Sequence, residues 1–156
     1  METAFIKTPL GIAKIIGDEN GISVISVLDE GEVSITIPIV LQEAVFQVND
    51  YFDGKRTDFT FKLNPSGTEF QQKVWKGLLE IPFGKTISYM ELSKKLGDVK
   101  AIRAVASANG KNPLWIVVPC HRVIGTNDSL TGYAGGLWRK KWLLEHENPT
   151  NQGSLF

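Results

Sequence analysis

Asn64-Pro65-Ser66-Gly67 strings together four turn-forming residues, and the hydrophobic pattern differs on its two sides. Pro65 removes a backbone donor and Gly67 frees the chain from the usual limits on φ, so no regular element runs through this stretch. The charge changes sign there as well. Residues 1–66 hold 5 Lys+Arg against 10 Asp+Glu, and the remainder 12 against 7, so a formally neutral chain divides into parts of about −5 and +5. At 156 residues the chain suits one ordinary domain or two small ones. A boundary at Pro65 gives an N-terminal domain over 1–65 and a C-terminal domain over 66–156.

Upstream, the pattern is first that of strands. Gly11–Ile16 leads into the turn Asp18-Glu19-Asn20-Gly21, and Ile22–Val27 alternates with period two, which predicts a hairpin. Val33–Ile37 and Phe59–Leu63 are further extended candidates on their β-branched and aromatic content. From Leu41 the period lengthens. Leu41, Ala44, Val45, Val48 and Phe52 fall at helical spacing before Gly54, predicting one amphipathic helix over a small antiparallel sheet.

Downstream, helices dominate, so the class is α+β. Thr68-Glu69-Phe70-Gln71 and Ser88-Tyr89-Met90-Glu91 both read as capping boxes. The first opens a helix with Phe70, Val74, Trp75 and Leu78 on one face, stopped by Ile81-Pro82. The second opens a short helix ended by Gly97. Asp98 caps the next, through Ala108, and the pair makes a helix-turn-helix candidate. In that second helix Ile102, Val105 and Ala106 can face a core, leaving Lys100, Arg103 and Ser107 outward. A basic, low-bulk face lets a backbone approach DNA with Arg103 reaching furthest. A solvated Arg on an Ala-rich helix is the competing explanation. A last helix over Leu137–Glu147 turns Glu147 inward on the stripe of Leu143 and Leu144, where His121 is a candidate partner.

The only cysteine lies in Ile116-Val117-Val118-Pro119-Cys120-His121-Arg122. After three apolar residues a lone thiol would ordinarily be core packing. Pro119, His121 and Arg122 are poor core neighbours, however, and nearby His or Arg favours the thiolate. Adjacent residues diverge in strand and helix alike, so His121 can serve Cys120 as a base only through a bent backbone or a bridging water. One cysteine and two histidines make neither an internal disulfide nor a structural zinc site, so no metal or cofactor is expected.

Taken together, Tyr89, Arg103, Asn112-Pro113, Pro119-Cys120-His121-Arg122, Tyr133-Ala134-Gly135-Gly136 and His146-Glu147 resemble the O6-alkylguanine-DNA alkyltransferases, the methylated-DNA–protein-cysteine methyltransferases. The resemblance is strongest from Gly67 to Glu147. It implies a ribonuclease H-like N-terminal domain of sheet plus helix and a winged-helix-like C-terminal domain. It implies a DNA repair protein that moves an alkyl group irreversibly from O6 of guanine to Cys120, with O4 of thymine as a second candidate lesion. On the family pattern, His121 takes the thiol proton through a water, Glu147 orients His121, Asn112 holds the turn and Tyr89 protonates the departing base. Arg103 would fill the stack behind a flipped nucleotide, with Lys100, Ala104, Ser107 and Arg122 also on DNA in the minor groove. Tyr133, Ala134, Gly135, Trp115 and Val123 would line the pocket. Trp115 at its lip would narrow access for bulky adducts, and packed inward would not. Double-stranded DNA is the implied partner of a monomer.

A non-catalytic reader of damaged DNA and a cysteine hydrolase built on Cys120, His121 and Glu147 are the competing classes. Adjacent Cys and His disfavour the second. No apolar run reaches the roughly 20 residues of a membrane span, and Met1-Glu2-Thr3-Ala4 begins no signal-peptide pattern, so the expected compartment is the cytoplasm.

Overall fold

A computed structural model describes residues 1–125, 133 and 135–149. The chain forms two compact units. The first is Met1–Ser66 with Pro113–Val117, and the second Gly67–Asn112 with Val118–Phe156. Pro113–Val117, downstream of Pro65 in sequence, thus packs with the first unit.

In the first unit an antiparallel meander runs β1 (Glu2–Thr8), β2 (Gly11–Asp18), β3 (Gly21–Leu28), in that spatial order. Ile6 pairs with Ala13 and Ile15 with Ile25, setting alternate residues into the core. The hairpin turn closes as its residues demand. Asp18 Oδ1 accepts from the Asn20 N–H at 2.8 Å, and Gly21 takes φ +130°. β1 is an addition to the predicted elements. Its alternation rests on Ala4, Ile6 and Thr8, a small and a polar residue flanking one aliphatic, which is faint as an apolar pattern.

Two extended candidates do not form strands. Over Val33–Ile37 the hydrogen bonds to β1 are made by Ser34, its N–H donating to Phe5 O and its Oγ accepting from Phe5 N, both at 2.8 Å. The hydroxyl takes the donor that a ladder carbonyl would need, and Ile35 is fully exposed. From Phe59–Leu63 only a bridge of Leu63 to Ile22 remains. β3 pairs on that edge with Lys62 and Asn64 through Ile22, and with Pro113 and Trp115 through Ile25. α1 (Gln42–Phe52) forms as expected and ends before Gly54 at φ +77°. Its buried stripe is Ala44, Gln47, Val48 and Tyr51, rotated from the predicted Val45 and Phe52. Gln47 can be buried because its Oε1 accepts from Thr60 N and its Nε2 donates to Thr60 Oγ1, both at 2.8 Å.

The second unit holds α2 (Glu69–Leu78), β4 (Ile87–Ser88), α3 (Tyr89–Lys95), α4 (Ile102–Gly110), β5 (Val123–Ile124) and α5 (Leu137–Glu147). Both capping boxes are present in full. Gly97 turns at φ +96°, and Asp98 Oδ1 accepts from Lys100 N at 2.9 Å to open the short 3₁₀ turn ahead of α4. Val74, Trp75 and Leu78 are buried, whereas Phe70 lies 38% exposed at the first turn of α2. Trp75 Nε1 donates to Ala108 O at 2.9 Å, locking α2 to α4. β4 and β5 pair in parallel, Ile87 opposite Val123, and this pairing anchors the segment just after Arg122. Among the described residues no helix is long and apolar enough to cross a membrane.

Candidate active site

The backbone at Pro119 decides where the thiol and the imidazole go. The proline ring holds φ at −80°, ψ is 63°, and Cys120 N donates to Val118 O at 2.8 Å, an inverse γ-turn. A 3₁₀ turn over Cys120–Arg122 follows immediately. With three residues per turn, successive side chains there point about 120° apart. Cys120 and His121 therefore diverge, and no direct bond joins the thiol to the ring.

Cys120 is 8% exposed. Asn112 Nδ2 donates to Val118 O at 2.7 Å and to Cys120 Sγ at 3.3 Å, tying the turn and the thiol to the end of α4. Burial pushes the thiol pKa up. The Asn112 bond, the Lys140 charge, the backbone at Cys120 and the Tyr133 hydroxyl pull the other way without cancelling it. At rest the group is a thiol, so its proton has to be taken by a base.

His121 is fully buried, with Nε2 2.7 Å from Glu147 Oε2. Its Nδ1 is buried and hydrogen-bonds to no other described residue. Glu147 is shared. Arg122 Nε donates to Oε1 at 2.7 Å, Arg122 Nη2 to Oε2 at 3.0 Å, and Gly84 N to Oε1 at 3.4 Å. Burial alone would raise the Glu147 pKa, but the His121 and Arg122 charges and hydrogen bonds hold the carboxyl well below the usual range. Arg122 is thus not a DNA contact. It is 6% exposed, spent on Glu147 and on Ile81 O, to which Nη1 donates at 2.7 Å. A carboxylate with one histidine still has lone pairs to fill, and the guanidinium fork fills them.

Tyr89, half-buried at the first turn of α3, accepts at its hydroxyl from Asn109 Nδ2 at 3.3 Å. Lys100, Arg103, Ala104 and Ser107 are all exposed, Arg103, Ala104 and Ser107 on one face of α4 and Lys100 in the turn before it. Val105, Ala108 and Asn109 form the buried side, with Ile102 and Ala106 half-buried between the faces. Tyr133 and Gly135 are half-buried. A side chain at Gly135 would sit 3.0 Å from the Tyr133 ring, so the glycine is what lets that ring lie close. Ala134 lies outside the described residues. Val123 is wholly buried in β5. Trp115, 6% exposed, packs inward in the first unit with its ring 5.8 Å from that of Phe52, which removes it from a pocket lip.

Three residues at this site escape sequence reasoning. Lys140 is fully buried, its Nζ donating to Val123 O at 2.7 Å, and burial lowers its pKa to about 8 against the opposing pull of Cys120. Inside Arg139-Lys140-Lys141 it looks like a solvated charge. Its spacing of 3, 4 and 7 to Leu143, Leu144 and Glu147 is the signal that could have found it. Gly84 (φ +81°) brings its N–H to Glu147, and Asn109 looks in sequence only like a helix stop. Among the described residues no group of three or more His, Cys, Asp or Glu could hold a metal ion.

Comparison with known proteins agrees with this geometry. Residues 69–149 match the model of the 6-O-methylguanine DNA methyltransferase DNA binding domain, and residues 1–65 that of its ribonuclease-like domain. The chain belongs to the 6-O-methylguanine DNA methyltransferase family. A Methanosarcina acetivorans methylated-DNA–protein-cysteine methyltransferase is 44% identical over 94% of this chain and 98% of its own. Mycobacterium tuberculosis OGT, solved in complex with DNA, superposes with TM-score 0.87 at 42% identity, over 96% of this chain and 94% of that one. An O6-methylguanine DNA methyltransferase from Methanococcus jannaschii gives TM-score 0.67 at 30% identity, covering 92% of each chain.

Proposed function

We propose that this protein is a methylated-DNA–protein-cysteine methyltransferase that repairs duplex DNA by moving an alkyl group from O6 of guanine onto Cys120, once per molecule. The observation that carries the reading is the division of labour at the Pro119 turn. Cys120 Sγ rests on Asn112, while His121 faces away onto Glu147 with Nδ1 free to accept a proton.

A water between Sγ and Nδ1 relays the thiol proton to His121, and Glu147 stabilises the imidazolium that forms. The thiolate attacks the alkyl carbon and a C–S bond forms as the C–O bond breaks. The electron pair passes to the purine, which Tyr89 protonates. A soft, desolvated sulfur suits displacement at saturated carbon, and the thioether left behind has no good leaving group, so Cys120 is consumed. Lys140 adds a positive charge on the thiolate's side of the balance.

The guanine reaches the site by flipping out of the duplex. Arg103 enters the gap, and the small Ala104 and Ser107 let α4 sit close in the minor groove, with Lys100 on phosphate. One protein molecule acts on one lesion, as a monomer. The OGT neighbour crystallised with DNA supports DNA as the partner.

Mixing the protein with O6-methylguanine duplex and weighing the intact chain tests the proposal. One added methyl, located on Cys120 by peptide mapping and absent in Cys120→Ser, is expected. Several turnovers per molecule, or a methyl on another residue, would overturn it.

A further inference from the structure

Asn109 holds a place in the second unit that packing does not explain. It is 3% exposed near the end of α4, where an aliphatic side chain would serve a core. Its Nδ2 reaches two acceptors, the Tyr89 hydroxyl at 3.3 Å and the Cys120 carbonyl at 3.5 Å. Its Oδ1 is buried and has no partner among the described residues. Retaining a buried acceptor with nothing to accept is costly, so the NH₂ end has to be what the fold keeps the amide for.

The Cys120 carbonyl fixes which way the amide faces. A carbonyl can only accept, so the atom turned toward it must be the NH₂. The same NH₂ then faces Tyr89, whose oxygen can only be the acceptor in that bond. The phenol's own proton is consequently directed away from Asn109. A reversed amide would accept that proton and hold it inside the protein. Donation to the phenol oxygen also stabilises a developing phenolate, which makes Tyr89 a stronger acid.

We propose that Asn109 is a positioning residue for alkyl transfer. Turned by the Cys120 carbonyl so that its NH₂ meets the Tyr89 hydroxyl, it orients the phenol proton toward the departing guanine and strengthens its acidity. The inference rests on the role given to Tyr89 above.

Asn109→Leu, Tyr89→Phe and the double variant, each in the full chain, test it by single-turnover repair of O6-methylguanine duplex. Alkylation of Cys120 by iodoacetamide, a reaction that needs no acid, serves as a check on the thiol and its turn. Asn109→Leu should slow repair by about tenfold, a factor set by one lost hydrogen bond to the reacting group, and leave iodoacetamide reactivity within about twofold. In the Tyr89→Phe background the same substitution should cost nothing further, because Asn109 acts through that hydroxyl. If Tyr89→Phe slows repair but the two losses multiply, or iodoacetamide reactivity falls in step with repair, Asn109 is a structural residue and the inference fails alone. If Tyr89→Phe repairs at the parent rate, the acid role of Tyr89 fails and Asn109 goes with it.

Discussion

Glu147→Gln keeps the shape of the side chain and removes the charge that three buried donors share. The carboxylate lies 2.7 Å from His121 Nε2, 2.7 Å from Arg122 Nε and 3.0 Å from Arg122 Nη2, with the Glu147 side chain 1% exposed. Each charge-assisted bond is worth about 1.5–3 kcal/mol, but taking Glu147 and Arg122 out of water offsets most of their sum. What decides the outcome is the stranded Arg122. Removing one member of a buried pair costs about 3–5 kcal/mol, and a Gln NH₂ must also turn toward one of the donor edges, setting donor against donor. Urea denaturation at neutral pH should therefore show a loss of roughly 3–5 kcal/mol. The pH dependence follows from the direction of the shift. His121 and Arg122 hold the Glu147 pKa below its unfolded value, so its contribution is complete above that value and is lost as pH falls toward the folded one. The gap between parent and variant should accordingly narrow in acid, starting near pH 4–5, roughly the unfolded carboxylate range. Glu147→Met with Arg122→Met should cost less than the two single losses added, because a buried pair replaced by apolar groups strands no charge. A neutral-pH loss below about 1 kcal/mol, or a gap that stays constant in acid, would refute a shared buried carboxylate.

Lys140 gives a slope of the same sign at the other end of the pH scale, from desolvation of a cation rather than from pairing of an anion. Its pKa is lowered from 10.5 to about 8, so between these values the unfolded chain holds the proton that the folded chain releases, and stability should rise as pH climbs through that window. The buried Cys120 thiol opposes this slope above about pH 9, so the quantity to read is the difference: from pH 7.5 to 10.5, approximately this window, the parent should gain on the order of 3 kcal/mol relative to Lys140→Met, and a gap that stays constant would contradict it. Arg103→Ala should slow repair of O6-methylguanine duplex more than reaction with free O6-benzylguanine, since only the duplex has to give up a stacked base. Equal losses in a side-by-side rate measurement would remove Arg103 from base extrusion.

Local rules carry much of this fold. Thr68 with Gln71, and Ser88 with Glu91, announce two helix starts through reciprocal bonds spanning three residues, and both helices begin there. The Asp18–Gly21 turn is equally self-contained. Where partners come from afar, local patterns mislead. Val33–Ile37 has the composition of a strand but only Ser34 finds an edge, and Leu114 supplies a bridge to β3 from the other side of the break at residues 64–67. Strand composition favours a pleated surface without saying whether a neighbour with open donors and acceptors exists.

The site divides along the same line. That Cys120 and His121 diverge is deducible from the spacing of adjacent residues in any regular element, and the Pro119 turn carries it out. That Arg122 belongs to Glu147 is not deducible from periodicity, since a cation in a basic segment is equally consistent with a phosphate contact. Stoichiometry is what separates the two. An inward carboxylate offers about four lone-pair sites, and a single imidazole N–H fills one of them, so a buried Glu147 requires further donors whatever the fold around it. Of the nearby cations, Arg alone presents two N–H groups in a plane matched to a carboxylate edge, and Arg122 follows His121 directly. The same reasoning separates the two arginines by role. Arg122 is committed to the buried acid that His121 also meets, and Arg103 stands on the exposed face of α4, which is why the DNA role proposed above falls to Arg103 and not to Arg122.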